Sequence, residues 1–127
     1  MHKQTKFIIF IVLVILIISG VGMYFGFKPE KAGKFDQLAQ CIKSSGAEFY
    51  GTFWCPHCQK QKEEFGSSVK YLPYIECSTP DGQNQTQVCK DKKIEGYPTW
   101  IFADQTRLSG EIPLETLAEK TQCVLPK

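Results

Sequence analysis

An α/β sandwich behind an amino-terminal membrane span is the architecture this sequence predicts, and three observations carry it. Helix-like and strand-like segments alternate along residues 34–121. The apolar, aromatic run that ends in Phe53 and Trp54 leads directly into Cys55-Pro56-His57-Cys58 and then into a charged, helix-forming stretch. Ahead of both, residues 7–27 contain no charged side chain.

At about 1.5 Å of rise per residue, the uncharged run is long enough to cross a hydrocarbon core of about 30 Å. His2, Lys3 and Lys6 precede it and favour a cytoplasmic amino terminus, residues 1–6, with the rest of the chain outside. Lys28 and Lys31 on the far side weaken that bias without reversing it. Tyr24, Phe25 and Phe27 fall where an interfacial aromatic belt lies. A cleaved signal peptide is the rival reading, since Gly20 and Gly22 offer small residues at a cleavage point. The apolar run continues past those glycines, which favours an uncleaved single-pass anchor in the cell membrane over residues 7–27. Either way the domain is exported. Pro29 and Gly33 make residues 28–33 a short linker, and residues 34–127 the folded domain.

Composition narrows the function classes. A net charge of +2 with interspersed signs and a single arginine, Arg107, argues against nucleic acid as a partner. Six cysteines in 127 residues point to a compartment where disulfides persist, which agrees with export.

Within the domain, Phe35, Leu38, Ala39 and Ile42 recur at helical spacing and Gly46 follows as a stop, so residues 34–45 are expected to form an amphipathic helix. Residues 47–53 are aromatic and β-prone. Residues 56–69 suit a helix with Pro56 in its first turn, where a missing N–H does no harm. Lys60 and Lys62 near its start read as a solvated face that adds positive potential. A strand over 72–77, a polar loop over 78–85, a short helix over 86–92, a hairpin of 99–103 and 107–110 around Asp104-Gln105, and a last helix over 114–121 complete the order.

The C-x-x-C motif sits where chemistry is expected. A helix starting at Cys55 leaves its first amide N–H groups unpaired and its dipole aimed at the Cys55 sulfur, which favours the thiolate. Cys55 is therefore the expected nucleophile, and Cys58, one turn further and covered by the helix, the resolving thiol. A zinc site would need a second ligand pair, and the other cysteines are scattered singly, so no metal and no cofactor is expected. A second feature is Pro98 just before an apolar strand. There a trans proline would remove a ladder hydrogen bond, whereas a cis Tyr97–Pro98 bond would form a tight turn.

Trp54-Cys55 with Cys58, a domain of this length, and Tyr97-Pro98-Thr99 before a hairpin together resemble the thioredoxin fold, a three-layer α/β/α sandwich with a mixed sheet. That resemblance implies that Pro98 packs opposite the dithiol and that Tyr97, with Trp54 beside the motif, meets the substrate strand. More narrowly, Tyr50-Gly51-Thr52-Phe53-Trp54-Cys55-Pro56-His57-Cys58, Leu72-Pro73-Tyr74-Ile75-Glu76-Cys77 and Gly96-Tyr97-Pro98-Thr99-Trp100 resemble the thioredoxin-like domain associated with the vitamin K epoxide reductase family, over residues 35–123. There a membrane-embedded quinone reductase takes the electrons. With one span and no bundle, this chain would need such a quinone-linked thiol oxidase in trans. The Pro56-His57 pair resembles that of strongly oxidising periplasmic dithiols, in which the histidine stabilises the nucleophilic thiolate. The buried acid that thioredoxins hold six residues before the first cysteine is replaced by Phe49. Its neighbour Glu48 is left as either a proton relay or a surface charge, because strand alternation sends the two to opposite faces.

With Cys55 and Cys58 assigned to the dithiol, the remaining four cysteines allow three pairings. Cys77 ends a strand and Cys89 lies on the short helix that returns over it, so a staple across the polar loop is plausible. It would contribute roughly 3 kcal/mol on a chain-entropy estimate. That leaves Cys41 and Cys123, whose helices are expected on opposite faces of the sheet, so the tail would have to wrap an edge. The function expected is oxidation of exported protein thiols. A tethered thiol reductant of the cytochrome c maturation type and a redox-inert binding or chaperone module are the alternatives.

Overall fold

The computed structural model describes residues 2–26 and 32–127, with side chains described for 3–21 and 32–127. Phe27, Lys28, Pro29 and Lys31, invoked above for the interfacial belt, the charge bias and the linker, lie outside the described residues, as do the side chains of Tyr24 and Phe25. Residues Met1–Lys31 and Ala32–Lys127 form two separate units. In the first, helix α1 (His2–Gly26) is apolar on every face: its window Lys3–Val21 has a mean hydropathy of 2.4 and none of it is buried. A helix hydrophobic all round cannot rest in water, and α1 is compatible with a membrane anchor or a signal sequence.

The second unit runs α2 (Asp36–Ser44), β1 (Glu48–Gly51), α3 (Pro56–Phe65), a 3-10 helix (Gly66–Tyr71), β2 (Tyr74–Glu76), α4 (Gln87–Asp91), β3 (Thr99–Ile101), β4 (Arg107–Ser109) and α5 (Leu114–Thr121). The strands are shorter than the apolar runs suggest. Past Gly51 the chain leaves the sheet, and the Cys55 N–H donates to the Thr52 carbonyl at 3.2 Å in the turn that leads into α3. The expected helix over 56–69 is likewise divided. Gly66, at a φ of +54° that favours glycine, ends α3, and the chain tightens into 3-10 geometry.

Strand order is β2-β1-β3-β4. β1 runs parallel to β2 and antiparallel to β3, with Phe49 opposite Trp100, and β3 and β4 form the hairpin. Residues alternate between the two faces of the sheet. Phe49, Trp100 and Phe102 join Leu38, Ala39, Ile42, Phe65, Leu117 and Ala118 in the larger core. Tyr50 and Ile101 join Cys77, Cys89 and Ile94 in the smaller one. Thus α2, α3 and α5 cover one face and α4 covers the other.

Placing α2 and α5 on the same face corrects the expectation that they lie on opposite faces. Both bury their apolar stripes against Phe49 and Trp100, and no tail has to wrap an edge. Cys41 and Cys123 form a disulfide with Cα atoms 5.9 Å apart. Cys77 and Cys89 form another, at 5.5 Å.

Candidate active site

β1 and α3 position the dithiol between them. Pro56 occupies the first turn of α3, where its missing N–H leaves no bond unmade, and Cys55 is the N-cap. Both Cys55 and Cys58 are free thiols. Cys55 is 5% exposed and Cys58 0%. The Cys55 Sγ donates to the Tyr97 carbonyl at 3.6 Å, across 42 residues of sequence, and the Tyr97–Pro98 bond is cis. The loop before β3 is therefore brought onto the nucleophile candidate.

Cys58 packs on the sheet at Gly51. A Cβ there would lie 2.8 Å from the Cys58 Sγ and 3.0 Å from Cε2 of Tyr74, so only glycine lets the buried sulfur approach the strand. Burial pushes the Cys58 thiol up to about 12; Cys55 adds to the rise, while a backbone hydrogen bond from Thr52 and the charge of Lys62 oppose it. At neutral pH Cys58 is a thiol, and its ionised form has to be stabilised when it appears.

Around the motif, Phe53 is 47% exposed and Trp54 53%. Trp54 donates its indole N–H to Ser78 Oγ at 3.0 Å and meets the Tyr97 ring edge-on, centroids 6.1 Å apart. The Tyr97 hydroxyl accepts from Gln85 Nε2 at 2.7 Å. Together with Thr52 and Gly82 these residues line a shallow cleft of about 150 Å³ beside the dithiol. Thr52 and Trp54, just ahead of the motif, supply one wall with Tyr97, and the loop stapled by Cys77 and Cys89 supplies the other.

His57 lies outward, with 70% of its side chain exposed, and its Nδ1 is 2.7 Å from Glu111 Oε1. Lys60 reaches the other oxygen of Glu111 at 3.0 Å. His57 and then Lys60 hold the Glu111 carboxyl below its ordinary range. The histidine is thus paired with an acid from the segment before α5, a contact over 54 residues that nothing local in the sequence signals.

Glu48 is not brought to the dithiol. It lies on the same face as Tyr50, accepts from the Tyr50 hydroxyl at 2.8 Å and from Lys92 Nζ at 3.0 Å, and so sits opposite the face on which Phe49 and Gly51 meet the larger core and Cys58. Burial pushes its carboxyl up, but Lys92 and Tyr50 outweigh that and hold it below the ordinary value. A proton relay between Glu48 and Cys58 would have to pass through the sheet. Lys62 departs from the solvated face expected of it: it is half-buried, with Nζ 3.3 Å from the centroid of the Tyr74 ring. The signal for this was its spacing, four residues after Cys58 and three before Phe65, on the inward stripe of the helix. Among the described residues no three His, Cys, Asp or Glu side chains converge on a metal-sized point.

Residues 29–122 match the sequence model of the thioredoxin family. The chain is 51% identical over 89 residues to the thiol-disulfide oxidoreductase LTO1 of Arabidopsis thaliana, covering 66% of this chain and 23% of that protein. It is 34% identical over 111 residues to a thioredoxin domain-containing protein 5 homolog of Drosophila melanogaster, covering 78% and 26%. Against a protein disulfide-isomerase of Humicola insolens it is 29% identical over 101 residues, covering 78% and 19%. The chain therefore matches between 19% and 26% of each relative's length.

Proposed function

Taking as premise that this chain belongs to the thioredoxin family, we propose that it is a thiol-disulfide oxidoreductase that donates a disulfide to exported protein thiols. The observation that carries the reading is the asymmetry of the two sulfurs. Cys55 lies at the helix start under the Tyr97 carbonyl, and Cys58 is sealed behind it against Gly51. A substrate thiolate attacks Cys55 in the disulfide state, with its backbone lying along Tyr97 and Pro98 and its flanking side chains against Trp54. A second substrate thiol resolves the mixed disulfide and leaves Cys55 and Cys58 reduced. His57 stabilises the leaving Cys55 thiolate, and the Glu111 carboxylate holds the imidazole at the motif. Cys41–Cys123 and Cys77–Cys89 are the structural disulfides.

In this reading α1 is an uncleaved anchor over residues 7–27, residues 28–33 are a linker, and residues 34–127 are the domain outside the membrane. A quinone-linked thiol oxidase of the vitamin K epoxide reductase type, supplied in trans, returns the dithiol to the disulfide. The deciding measurement is the reduction potential of Cys55–Cys58 against glutathione. A value more positive than about −200 mV supports the oxidant, and one near −270 mV, typical of thioredoxin, overturns it.

A further inference from the structure

Opening the Cys55–Cys58 disulfide puts an electron pair on the sulfur least able to hold it. Cys58 is fully buried, and burial is the largest influence against its thiolate. At the position six residues before Cys55, where the resembled fold keeps an acid, Phe49 is instead stacked on Trp100 with ring centroids 4.5 Å apart. Glu48 points to the other face.

A different group of charges occupies the space. Lys62 lies one turn beyond Cys58 on α3, with its ammonium over the Tyr74 ring. The edge of that ring and the Cys58 sulfur crowd the same point above Gly51, at 3.0 and 2.8 Å. The Tyr74 hydroxyl donates to Glu76 Oε2 at 2.8 Å, and the other oxygen of Glu76 accepts the Phe53 N–H at 3.2 Å and the Ser78 N–H at 2.9 Å. Tyr74 thus meets the lysine with its face and approaches the sulfur with its edge, and its holder Glu76 also fixes the loop that enters the motif. Burial draws Lys62 down from its ordinary value, while Glu76 and Cys58 draw it back up, so the lysine gains from an anion at either place. The titratable groups that act on Cys58 are Cys55 and Lys62 from α3 and its cap, and Tyr74 from β2, whose hydroxyl is held by Glu76; from β1, Gly51 meets the sulfur.

We propose that Lys62 is the counter-charge for Cys58, held over Tyr74 so that its ammonium stabilises the Cys58 sulfur as the leaving thiolate whenever the disulfide opens. The proposal rests on the redox reading of the dithiol above. In the step concerned, a substrate thiolate attacks Cys55 Sγ. The substrate–Cys55 S–S bond forms, the Cys55–Cys58 bond breaks, and Cys58 leaves with the electron pair. Lys62 keeps its proton throughout, and Cys58 afterwards takes one from solvent. A second substrate thiolate then breaks the substrate–Cys55 bond, and Cys55 leaves as a thiolate and is protonated in turn. Two protons lost by the substrate thiols balance the two gained, and two electrons pass to the dithiol. Lys62 touches none of the reacting atoms in this account, and its part is that of a positioning charge.

The test is the rate at which glutathione opens the Cys55–Cys58 disulfide in the oxidised full chain held in detergent, followed from pH 6 to 9 and referred to glutathione thiolate. Lys62→Met is expected to slow the reaction about tenfold, which is about 1.4 kcal/mol of barrier, and Lys62→Arg to restore most of the rate by restoring the positive charge. Thermal melts of both variants check that the domain is folded, and Lys62→Gln replaces the methionine if that variant does not fold. A lysine that only packs would leave the rate of the folded variants unchanged, and that result overturns the proposal, as does a loss that arginine fails to restore. Failure of the functional reading is separate. It would show as a wild-type disulfide whose potential lies near that of thioredoxin, whatever the variants do.

Discussion

On one face of the sheet three helices bury Phe49, Trp100, Phe65 and Leu117; on the other, five-residue α4 is closed down on Tyr50, Ile94 and Ile101 by the Cys77–Cys89 bond. The first face is held by stacked aromatic area, and an apolar core of that size supplies its own driving force. The second has little apolar material to bury. Its loop contains Ser78, Pro80, Gly82, Gln83, Asn84 and Gln85, and it relies on a covalent closure and on hydrogen bonds such as Gln85 to Tyr97 and Trp54 to Ser78. The dithiol lies at the seam. Cys58 belongs to the thick face through Gly51 and Tyr74, whereas Cys55 meets the thin face through Tyr97. The side with the aromatic core holds the buried sulfur, while the side kept in place by a staple supplies a wall of the cleft beside the motif.

The largest effect is expected on removing the long-range bond of the thick face. Replacing Cys41 and Cys123 together with Ser should cost about 4.5 kcal/mol by the chain-entropy estimate for a separation of 82 residues, read from the denaturant midpoint. A loss below about 1 kcal/mol would mean that apolar packing alone holds α2 to α5. Next comes Trp100→Ala, which removes the partner of Phe49 from a fully buried site. About 3 to 5 kcal/mol should be lost in the same titration. An unchanged midpoint would mean that the thick face does not depend on its aromatic stack.

Smaller is the double Ser replacement of Cys77 and Cys89, at about 3 kcal/mol for a separation of 12. Here the location matters more than the total. Hydrogen exchange should rise first in residues 78–92 and leave α2 and α5 protected, and uniform loss of protection would show that the two faces unfold as one unit. The smallest effect is expected at Glu48, whose ion pair with Lys92 ties the thin face to β1. Its carboxyl is held below the ordinary value in the folded state, so its stabilising contribution is present above the unfolded value and is lost as pH falls through the folded one. Because both side chains are more than a third exposed or close to it, Glu48→Gln should cost no more than about 0.5 kcal/mol at pH 7. That difference should vanish once the pH drops below the carboxylate range. A difference that persists into acid would assign the loss to the Tyr50 hydrogen bond instead.

Much of the architecture was legible because it is written in local pattern. The order of helices and strands follows from apolar spacing and from a breaker such as Gly46, and the helix capped by Cys55 follows from Pro56 and the run of charged residues after it, although its end at Gly66 is not read from that pattern. The uncharged stretch from residue 7 onward is apolar whatever surrounds it. These properties belong to a few neighbouring residues, and the chain carries them before any tertiary contact forms.

Local pattern therefore sets most of the elements, the place of the C-x-x-C motif at a strand-to-helix junction, and the position of Pro98 ahead of β3. Which side of the sheet each element covers, and with it the fate of single side chains, follows from packing alone. Glu48 is next to Phe49 in the chain, yet sheet pleating sends it to Lys92 and Tyr50 on the face away from Cys58. α2 and α5 share a face because both bury their apolar stripes on the same aromatic stack, which no spacing of Cys41 and Cys123 could reveal. Glu111 reaches His57 over 54 residues, and Lys62 finds Tyr74 and Glu76 on a strand that α3 does not touch in sequence. Such contacts depend on register and layer packing, which are set by the burial of the whole core at once, so a charge that reads as solvated in the sequence can end half-buried over an aromatic ring in the fold.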